Sequence, residues 1–501
     1  MLIVLLSAER DLAVTGQDVV RLFYPDSDIV LQPAVDYEIM LNVSVSRLGK
    51  TLTGSASLKN RDTGLTEEAS TDAIPVAGDE RNQQKRLVKL ALFRLLCRYQ
   101  GTAPGPWGIL TGIRPTKIVH RLLDLAWEPP EINEYLINSY DMAPGKAALL
   151  TGIALKQRPF LLAKDQAKKL VSIYVGIPFC PTRCAYCSFP SYSVETRGGM
   201  VESFLKALQG EIEEIGAALT EQGKKVQTIY IGGGTPTVLD TQGLRALLAS
   251  VRTRLVGDET SEVTLEAGRP DTVTEEKLKA ALEYGVTRLS INPQSMNRHT
   301  LLKIGRRHTP EQVVESVEMA RRFGFGNINM DIIIGLPGES EKDVDNTLRE
   351  IGKIRPENLT VHTLAVKRAS KIKEDKEYFH LPSWDQVEKM LEIAAEGARG
   401  MGMEPYYLYR QKRMVGPQEN IGYARNGFDC IYNIQIIDER QTVIGLGGGA
   451  GSKFVDPETW RLTSHYNPKD PETYITRIDD LIARKISMLQ GNSGLKLKGL
   501  S

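Results

Sequence analysis

Short β-branched runs alternate with longer amphipathic segments through the middle of the chain. Six apolar runs between about residues 168 and 370 are too short for helices and rich in valine and isoleucine, which predicts strands. Longer segments between them repeat apolar residues at helical spacing. The predicted strands are 172–177, 228–231, 262–265, 288–291, 329–334 and 359–364, and the predicted helices are 200–219, 241–255, 274–284 and 310–323.

Six successive βα-type units indicate a parallel sheet with crossover helices. The spacing is typical of an α/β protein with a partial (β/α)6 TIM-like barrel over residues 166–370. In such barrels, functional side chains lie at the carboxyl ends of the strands. We therefore expect the chemistry of this protein to follow the ends of these six strands.

The two flanking regions have a different pattern. Residues 1–165 predict an N-terminal α+β domain of unknown role, and residues 371–501 predict a smaller C-terminal α+β cap. A Gly- and Pro-rich segment, 107–117, is either a tightly packed turn or an anion-holding loop. The elements predicted here are strands 29–31 and 37–46, helices 83–99 and 117–125, helix 384–399, strands 406–409 and 430–437, and helix 472–489.

Composition narrows the class of protein. The 501 residues carry 63 Lys and Arg against 62 Asp and Glu, so no overall charge favours nucleic acid or an anionic membrane. We find no apolar run long enough for a membrane span and no signal peptide at the start. Five cysteines are sparse and odd in number, which argues against a disulfide scaffold. We expect a cytoplasmic protein that binds no nucleic acid and has no membrane span.

Three cysteines, Cys180, Cys184 and Cys187, lie directly after the first predicted barrel strand. Thiolates are the ligands of iron–sulfur clusters, and this spacing lets one loop wrap a cluster face. Three ligands on a [4Fe–4S] cluster leave one iron open. A structural zinc ion is the competing interpretation, but zinc normally takes four ligands and no nearby His or Cys supplies the fourth. Cys97 and Cys430 stand alone in apolar runs, where we expect buried thiols.

The loop Cys-Pro-Thr-Arg-Cys-Ala-Tyr-Cys, from Cys180 to Cys187, resembles the cluster loop of radical S-adenosylmethionine (SAM) enzymes. The segment Tyr-Val-Gly-Ile-Pro-Phe-Cys, which begins at Tyr174, is similar to the oxygen-independent coproporphyrinogen III oxidase group, and most of all to its HemZ-type members. The resemblance is specific over about 170–370, weaker to 455, and leaves the first 165 residues outside. It implies a [4Fe–4S] cluster on the three cysteines, SAM as cofactor and a catalytic role for Tyr174 beside the cluster or SAM, with an ordinary strand tyrosine as the alternative.

The resemblance also implies SAM contacts at successive strand ends. A glycine run follows the second strand and is expected to hold the methionine amino group, with a tight turn as the alternative. Arginine suits a carboxylate and aspartate suits ribose hydroxyls, although each residue alone is as easily a structural polar group. The implied contacts are Gly232, Gly233, Gly234 and Thr235, then Glu266 and Arg306 at the amino-acid end, Gln294 and Asp331 at the ribose, and Ile333 and Ala365 at the adenine.

The function implied by the resemblance is oxidative decarboxylation of coproporphyrinogen III propionates to the vinyl groups of protoporphyrinogen IX. A small-molecule porphyrinogen and an unidentified electron donor are the expected partners. Arg269, Lys367 and Arg368 fall at the predicted barrel mouth and are candidates to pair with substrate carboxylates. A solvated loop is the alternative for the last two.

One departure from the family keeps a second interpretation open. Phe189 stands where the coproporphyrinogen oxidases have a further cysteine, two residues after the third ligand. A branch of the family thought to transfer heme shares this phenylalanine, so a heme-binding carrier or insertase is the alternative function. The small number of histidines, six, counts against a histidine-ligated heme. A third alternative is another radical SAM reaction on a different substrate.

Overall fold

The computed structural model describes residues 1–73, 79–367, 370–375, 378–411, 414–416 and 418–491. The chain divides into two compact units, Met1–Leu155 with Gly416–Gln418 and Lys156–Val415 with Glu419–Ser501. The three-domain division at residues 165 and 370 stays a prediction. No helix in the described ranges has both the length and the apolarity to cross a bilayer.

The first unit is an α+β fold. Its elements are β1 (Leu2–Leu6), α1 (Arg10–Phe23), β2 (Asp28–Val30), β3 (Ile39–Leu48), β4 (Thr51–Asn60), β5 (Thr66–Ala73), α2 (Glu80–Gln100), α3 (Thr116–Asp124), α4 (Pro129–Tyr140) and most of α5 (Pro144–Gln157). The sheet order is β2-β1-β3-β4-β5. Helix α2 packs directly on β4 at Gly54. The contact is so close that a Cβ atom at Gly54 would come within 2.6 Å of the Leu87 backbone. The Gly- and Pro-rich segment begins with Trp107, which is 1% exposed, as a packed turn requires.

The second unit holds the barrel. Its elements up to residue 374 are α6 (Lys164–Lys169), β6 (Leu170–Ile177), β7 (Phe179–Cys180), β8 (Tyr192–Ser193), α7 (Val194–Arg197), α8 (Val201–Glu221), β9 (Lys225–Gly233), α9 (Thr241–Arg254), β10 (Glu262–Glu266), α10 (Glu275–Glu283), β11 (Arg288–Ser290), α11 (Arg298–Lys303), α12 (Pro310–Arg322), β12 (Ile328–Ile334), α13 (Glu341–Ile354), β13 (Asn358–Thr363) and α14 (Lys371–Glu374). All six predicted strands and all four predicted helices of this region are present.

The remaining elements are α15 (Trp384–Gly400), β14 (Glu404–Tyr409), β15 (Asn420–Ala424), α16 (Ile431–Asp438), β16 (Thr442–Gly447), β17 (Gly451–Val455), β18 (Leu462–Tyr466), α17 (Pro471–Thr476) and α18 (Ile478–Leu489). Strands β6, β9, β10, β11, β12 and β13 are parallel neighbours in that order. Strand β16 extends this array beside β6 and β15 extends it beside β13. The barrel is therefore partial, since the C-terminal strands continue the sheet at both edges.

Two C-terminal predictions were wrong. The run 430–437 was expected to be a strand because it is rich in isoleucine, but it forms helix α16. Its buried positions Cys430, Ile434 and Ile437 follow helical spacing, and the carboxylate of Glu262 accepts hydrogen bonds from backbone amides at its start. The expected single helix 472–489 is two helices, α17 and α18, which break at Arg477.

Candidate functional site

The three cysteines of the loop line one wall of a cavity of about 280 Å³ within the second unit. Cys180 ends the short strand β7, and Cys184 and Cys187 follow in the loop that leads to β8. All three thiols are free. Among the described residues, no three His, Cys, Asp or Glu side chains gather around a single-ion position. The thiols instead share the wall of a space large enough for a bulkier group.

Hydrogen-bond donors surround the sulfur atoms. Thr235 Oγ1 lies 3.5 Å from Cys180 Sγ, and Arg269 Nη1 lies 4.0 Å from Cys184 Sγ. Such donors stabilise negative charge on metal-bound thiolates. Burial raises the pKa of Cys180 to about 12, so its free thiol is protonated at neutral pH and metal binding must release that proton.

The cavity collects nine of the ten predicted SAM contacts. They are Gly233, Gly234, Thr235, Glu266, Gln294, Arg306, Asp331, Ile333 and Ala365. Gly232 lies behind this wall, where a Cβ atom would come 2.5 Å from Glu266 Oε2. Apart from Arg306, which follows α11, these residues lie on or shortly after the five neighbouring strands β9 to β13, which the parallel order of the sheet brings to one edge.

The glycine segment approaches the cysteine loop closely. Gly234 N donates to Ile177 O at 2.7 Å, and Thr235 N donates to Phe179 O at 2.8 Å. A Cβ atom at Gly234 would lie 3.0 Å from Cys180 Sγ and closer still to the Phe179 carbonyl. Gly233 has φ +112°, a backbone conformation that side chains disfavour. The glycines thus leave backbone exposed beside the thiols.

Glu266 is the carboxylate nearest to this segment. Its Oε1 accepts a hydrogen bond from the Tyr230 hydroxyl at 2.8 Å, and its Oε2 accepts one from Gly233 N at 3.1 Å. Burial and then the charge of Asp331 raise the pKa of Glu266 to about 7, against these two stabilising hydrogen bonds. A cationic ligand group in the cavity would restore the ionised form.

Asp331 belongs to a polar network that the sequence did not reveal. Asn329 Nδ2 donates to Asp331 Oδ1 at 2.7 Å, and His362 Nε2 lies 3.6 Å from Asp331 Oδ2. The other nitrogen of His362, Nδ1, lies 3.1 Å from the Tyr409 hydroxyl. Burial opposes ionisation, but the nearby imidazole of His362 and the hydrogen bond from Asn329 outweigh it, and the pKa of Asp331 is lowered. This carboxylate is therefore an ionised acceptor.

Gln294 and Arg306 complete the polar side of the cavity. Gln294 has φ +65°, and its Oε1 is buried without a hydrogen-bond partner. An orphaned acceptor and a strained backbone are both typical of ligand-binding positions. Arg306 donates from Nη1 to the carbonyls of Gly268 and Asn292 at 2.9 and 2.7 Å, and from Nε and Nη2 to the Tyr186 hydroxyl. Arg306 thus fixes the loop that carries the cysteines.

Tyr174 lies outside the side chains that line the cavity. Its ring stacks on Tyr230 and Tyr432, with ring centroids 6.2 and 6.4 Å apart. Burial, and then the charge of Glu266, raise the pKa of its hydroxyl. The catalytic role predicted for Tyr174 stays a prediction. Its position indicates that it packs behind Tyr230, the residue whose hydroxyl donates to Glu266.

The three basic residues that were predicted to pair with substrate carboxylates lie in different places. Arg269 lines the cavity, but its guanidinium forms a two-point ion pair with Asp271, at 3.0 and 3.1 Å. Lys367 is outside the lining side chains, and its carbonyl accepts hydrogen bonds from Ser370. Arg368 lies outside the described residues. Their substrate contacts stay predictions.

Several lining residues were missed by the sequence reasoning. His362 follows the inward alternation of β13, so period-two spacing from Thr360 could have found it. Five others come from the C-terminal part of the chain or from the start of a strand, where no local signal marks them. These five residues are Arg288, Tyr407, Tyr409, Gln411 and Asn433. Tyr186, Tyr230, Asn292 and Asn329 also line the cavity and were not predicted.

Comparison with known proteins gives one family match and several relatives. Residues 174–351 match the model of the Radical SAM superfamily. The chain is 40% identical over 477 residues to the oxygen-independent coproporphyrinogen-III oxidase-like protein HemZ of Bacillus subtilis, covering 95% of each chain. It is 32% identical over 282 residues to the heme chaperone HemW of the same organism, covering 56% of this chain and 70% of that one.

The structure of coproporphyrinogen III oxidase (HemN) from Escherichia coli, a radical SAM enzyme, shares the fold. The TM-score is 0.50 at 22% identity, covering 65% of this chain and 72% of that one. Radical SAM proteins use a [4Fe–4S] cluster and SAM as cofactors. The residues of the cavity fit both groups, because three free thiols face the space that also holds exposed glycine backbone and the orphaned Gln294 oxygen.

Proposed function

We propose, from the premise that this chain belongs to the radical SAM family of oxygen-independent coproporphyrinogen-III oxidase-like proteins, that it decarboxylates propionate side chains of coproporphyrinogen III. The products are vinyl groups and CO2, and the full reaction gives protoporphyrinogen IX. Similarity over 95% of both chains to a protein bearing the oxidase-like name is the observation that carries the substrate class. The sparse cysteines, all free, suit a reducing cytoplasmic setting, which is part of the same proposal.

When bound, the cluster and SAM supply hydrogen-atom abstraction by an organic radical, which an external one-electron donor makes possible. The residues of this chain bind and orient the reacting groups. In this proposal Cys180, Cys184 and Cys187 hold the cluster. The backbone of the glycine segment and the Glu266 carboxylate accept hydrogen bonds from the SAM ammonium group.

The ribose end is held by acceptors in the same cavity. Asp331 stays ionised because Asn329 donates to it and His362 lies beside it, so it can accept from ribose hydroxyls. The orphaned Oε1 of Gln294 is a second acceptor. These contacts would orient the ribose end of the bound cofactor and exclude water from the reacting groups.

The proposed reaction balances at each propionate. With the cofactors bound, the β-carbon would lose a hydrogen atom, which 5′-deoxyadenosine would carry away. The bond to the carboxylate carbon then breaks, CO2 departs and one electron passes to a one-electron acceptor. A carbon–carbon double bond remains, so each propionate loses two electrons and one proton together with CO2.

The test is anaerobic turnover. The reconstituted protein receives SAM, a chemical one-electron reductant and coproporphyrinogen III, and products are followed by mass. We expect 5′-deoxyadenosine that depends on substrate, and a loss of CO2 and two hydrogens for each vinyl group formed. SAM cleavage without any decarboxylated product would reject coproporphyrinogen III as the substrate.

Heme binding is the second candidate function, and two observations favour it. The chain is 32% identical to a heme chaperone, and Phe189 at the cavity rim is 66% exposed, as an apolar contact for a flat macrocycle would require. Heme titration of the reconstituted protein tests this function. A one-to-one complex, weakened by Phe189→Ser and accompanied by no turnover of coproporphyrinogen III, would favour heme transfer over decarboxylation.

A further inference from the structure

A buried guanidinium lines the cavity without a partner. Arg288 opens strand β11 and is 1% exposed, yet it contributes to the cavity wall. Its Nε and Nη2 atoms are buried and have no hydrogen-bond partner. A buried cation normally has both a counter-charge and hydrogen-bond acceptors, because leaving it unpaired costs several kcal/mol. A ligand with a negatively charged group can therefore supply the counter-charge and the hydrogen-bond acceptors that Arg288 lacks.

The nearest carboxylate does not provide an ion pair. Among the described residues no acidic oxygen lies within 4.0 Å of the Arg288 guanidinium, and its Nε and Nη2 atoms have no hydrogen-bond acceptor. The oxygens of Glu262 are occupied by the start of helix α16. They accept hydrogen bonds from Cys430 Sγ at 3.2 Å, Ile431 N at 2.9 Å and Tyr432 N at 3.3 Å.

Arg288 sits one layer deeper in the barrel than the predicted SAM contacts. It pairs in register with Thr264, which precedes Glu266 by two residues. Two residues of strand correspond to about 7 Å along the barrel. Arg288 and Glu266 line the same continuous cavity as the cysteines, so a group that passes the Glu266 layer meets the guanidinium next.

The surroundings select the kind of anion. Nε and Nη2 form the planar fork of a guanidinium that matches the two oxygens of a carboxylate. Asn433, whose Nδ2 donates to the Tyr406 hydroxyl at 3.2 Å, also lines this end of the cavity. The ring of Tyr230 supplies an aromatic wall. One unpaired cation beside an amide and aromatic rings suits a monoanionic group on an apolar arm.

We propose that Arg288, with Asn433, forms a carboxylate-binding site inside the barrel, beneath the layer of Glu266 and Asp331. The shared chemistry is a carboxylate, and two sources are possible, a propionate arm of the substrate or the carboxylate of SAM. Assigning the arm to the substrate rests on the proposed function, whereas the site itself does not.

The first test uses the protein without any assumption about its reaction. Thermal denaturation is measured with sodium propionate and with propionamide, for the wild type, Arg288→Met and Arg288→Lys. We expect propionate, and not propionamide, to raise the melting temperature of the wild type. Arg288→Met should lose this difference and Arg288→Lys should keep part of it. Equal responses of the wild type and Arg288→Met would overturn the site.

The second test identifies the source in the reconstituted protein. Dissociation constants are measured anaerobically for SAM, for coproporphyrinogen III and for its tetramethyl ester. A charged two-point contact predicts that Arg288→Met weakens one ligand on the order of tenfold to a hundredfold. Loss of affinity for the tetra-acid, with the ester unchanged, assigns the substrate arm. Loss of SAM affinity assigns the cofactor, and unchanged affinity for both excludes a carboxylate ligand at Arg288.

The controls separate this proposal from the proposed function. Cluster absorbance and circular dichroism establish that Arg288→Met is folded and loaded, and Arg298→Met changes an exposed arginine in the same unit. If the wild type binds coproporphyrinogen III through Arg288 but releases no CO2, the decarboxylase function fails and the site stands. If turnover occurs equally in the wild type and Arg288→Met with equal affinities, the site fails and the function stands.

Discussion

Replacing Glu266 with glutamine should change how stability depends on pH. Burial, followed by the charge of Asp331, raises the pKa of this carboxyl from 4.5 to about 7. Between those values the folded protein holds a proton that the unfolded chain has lost. Stability contributed by this group is therefore complete below about pH 4.5 and falls as the pH rises to about 7.

The size of the effect follows from the pKa. The rise corresponds to about 3 kcal/mol, since each pKa unit is worth about 1.4 kcal/mol. Part of this is screened because the side chain faces the cavity. Glutamine resembles the protonated acid, because its carbonyl oxygen can accept the hydrogen bond from Gly233 N and its amide group can donate to the Tyr230 hydroxyl oxygen, so the variant should match the wild type at pH 5. At pH 8 the variant should be more stable, by about 2–3 kcal/mol.

The assay is thermal denaturation of the protein without cofactors at pH 5 and pH 8. Glu283→Gln, which changes an exposed carboxylate at the end of α10, is the matched control. The difference in melting temperature between Glu266→Gln and the wild type should grow by several degrees on going to pH 8, and the control should show no such growth. Parallel curves for Glu266→Gln and the wild type would refute the environment described for Glu266.

Three further predictions concern the cluster loop and the fold. Gly234→Ala should abolish cluster and SAM binding, because its Cβ would lie 3.0 Å from the first cysteine sulfur, whereas Gly210→Ala in an open part of α8 should retain both; iron content and SAM affinity decide this. Cys184→Ala should lose the cluster and SAM cleavage, and Cys97→Ala should keep them; retention by Cys184→Ala contradicts the ligand assignment. Lys485→Ala removes the partner of a fully buried carboxylate and should destabilise the protein by about 3–5 kcal/mol in urea unfolding, and a loss below 1 kcal/mol would contradict a buried ion pair.

The barrel could be predicted because its signals are local. Each strand, such as Asn358–Thr363, is a short β-branched run bounded by turn residues, and each helix repeats apolar positions at 3.6-residue spacing. Parallel order then places the strand ends at one edge, and the resemblance to a known family named Glu266, Gln294 and Asp331 there, which line one cavity in the structure. The cysteine loop could be found from its spacing alone.

The C-terminal part was harder because its elements are chosen by packing. The run 430–437 has strand-like composition, yet it is helical. The Glu262 carboxylate accepts a hydrogen bond from a backbone amide at the start of this helix, and Ile434 packs with Tyr406 and Tyr407. The same tertiary contacts carry Asn433 into the cavity. Intrinsic propensity was outweighed by neighbours that are distant in sequence.

The sequence by itself determined the α/β class, the six barrel strands and the three thiols, since each depends on spacing along the chain. The polar groups beside the thiols were named from the resemblance to a known family. Only the tertiary structure decided the burial, the hydrogen-bond partners and the pKa shifts of those groups. His362 and Tyr409 meet across two strands, the pKa of Glu266 depends on burial beside Asp331, and Arg269 pairs with Asp271 beside a cysteine. Charge, burial and hydrogen bonding act through space, and the distances that set them exist only once the strands have paired.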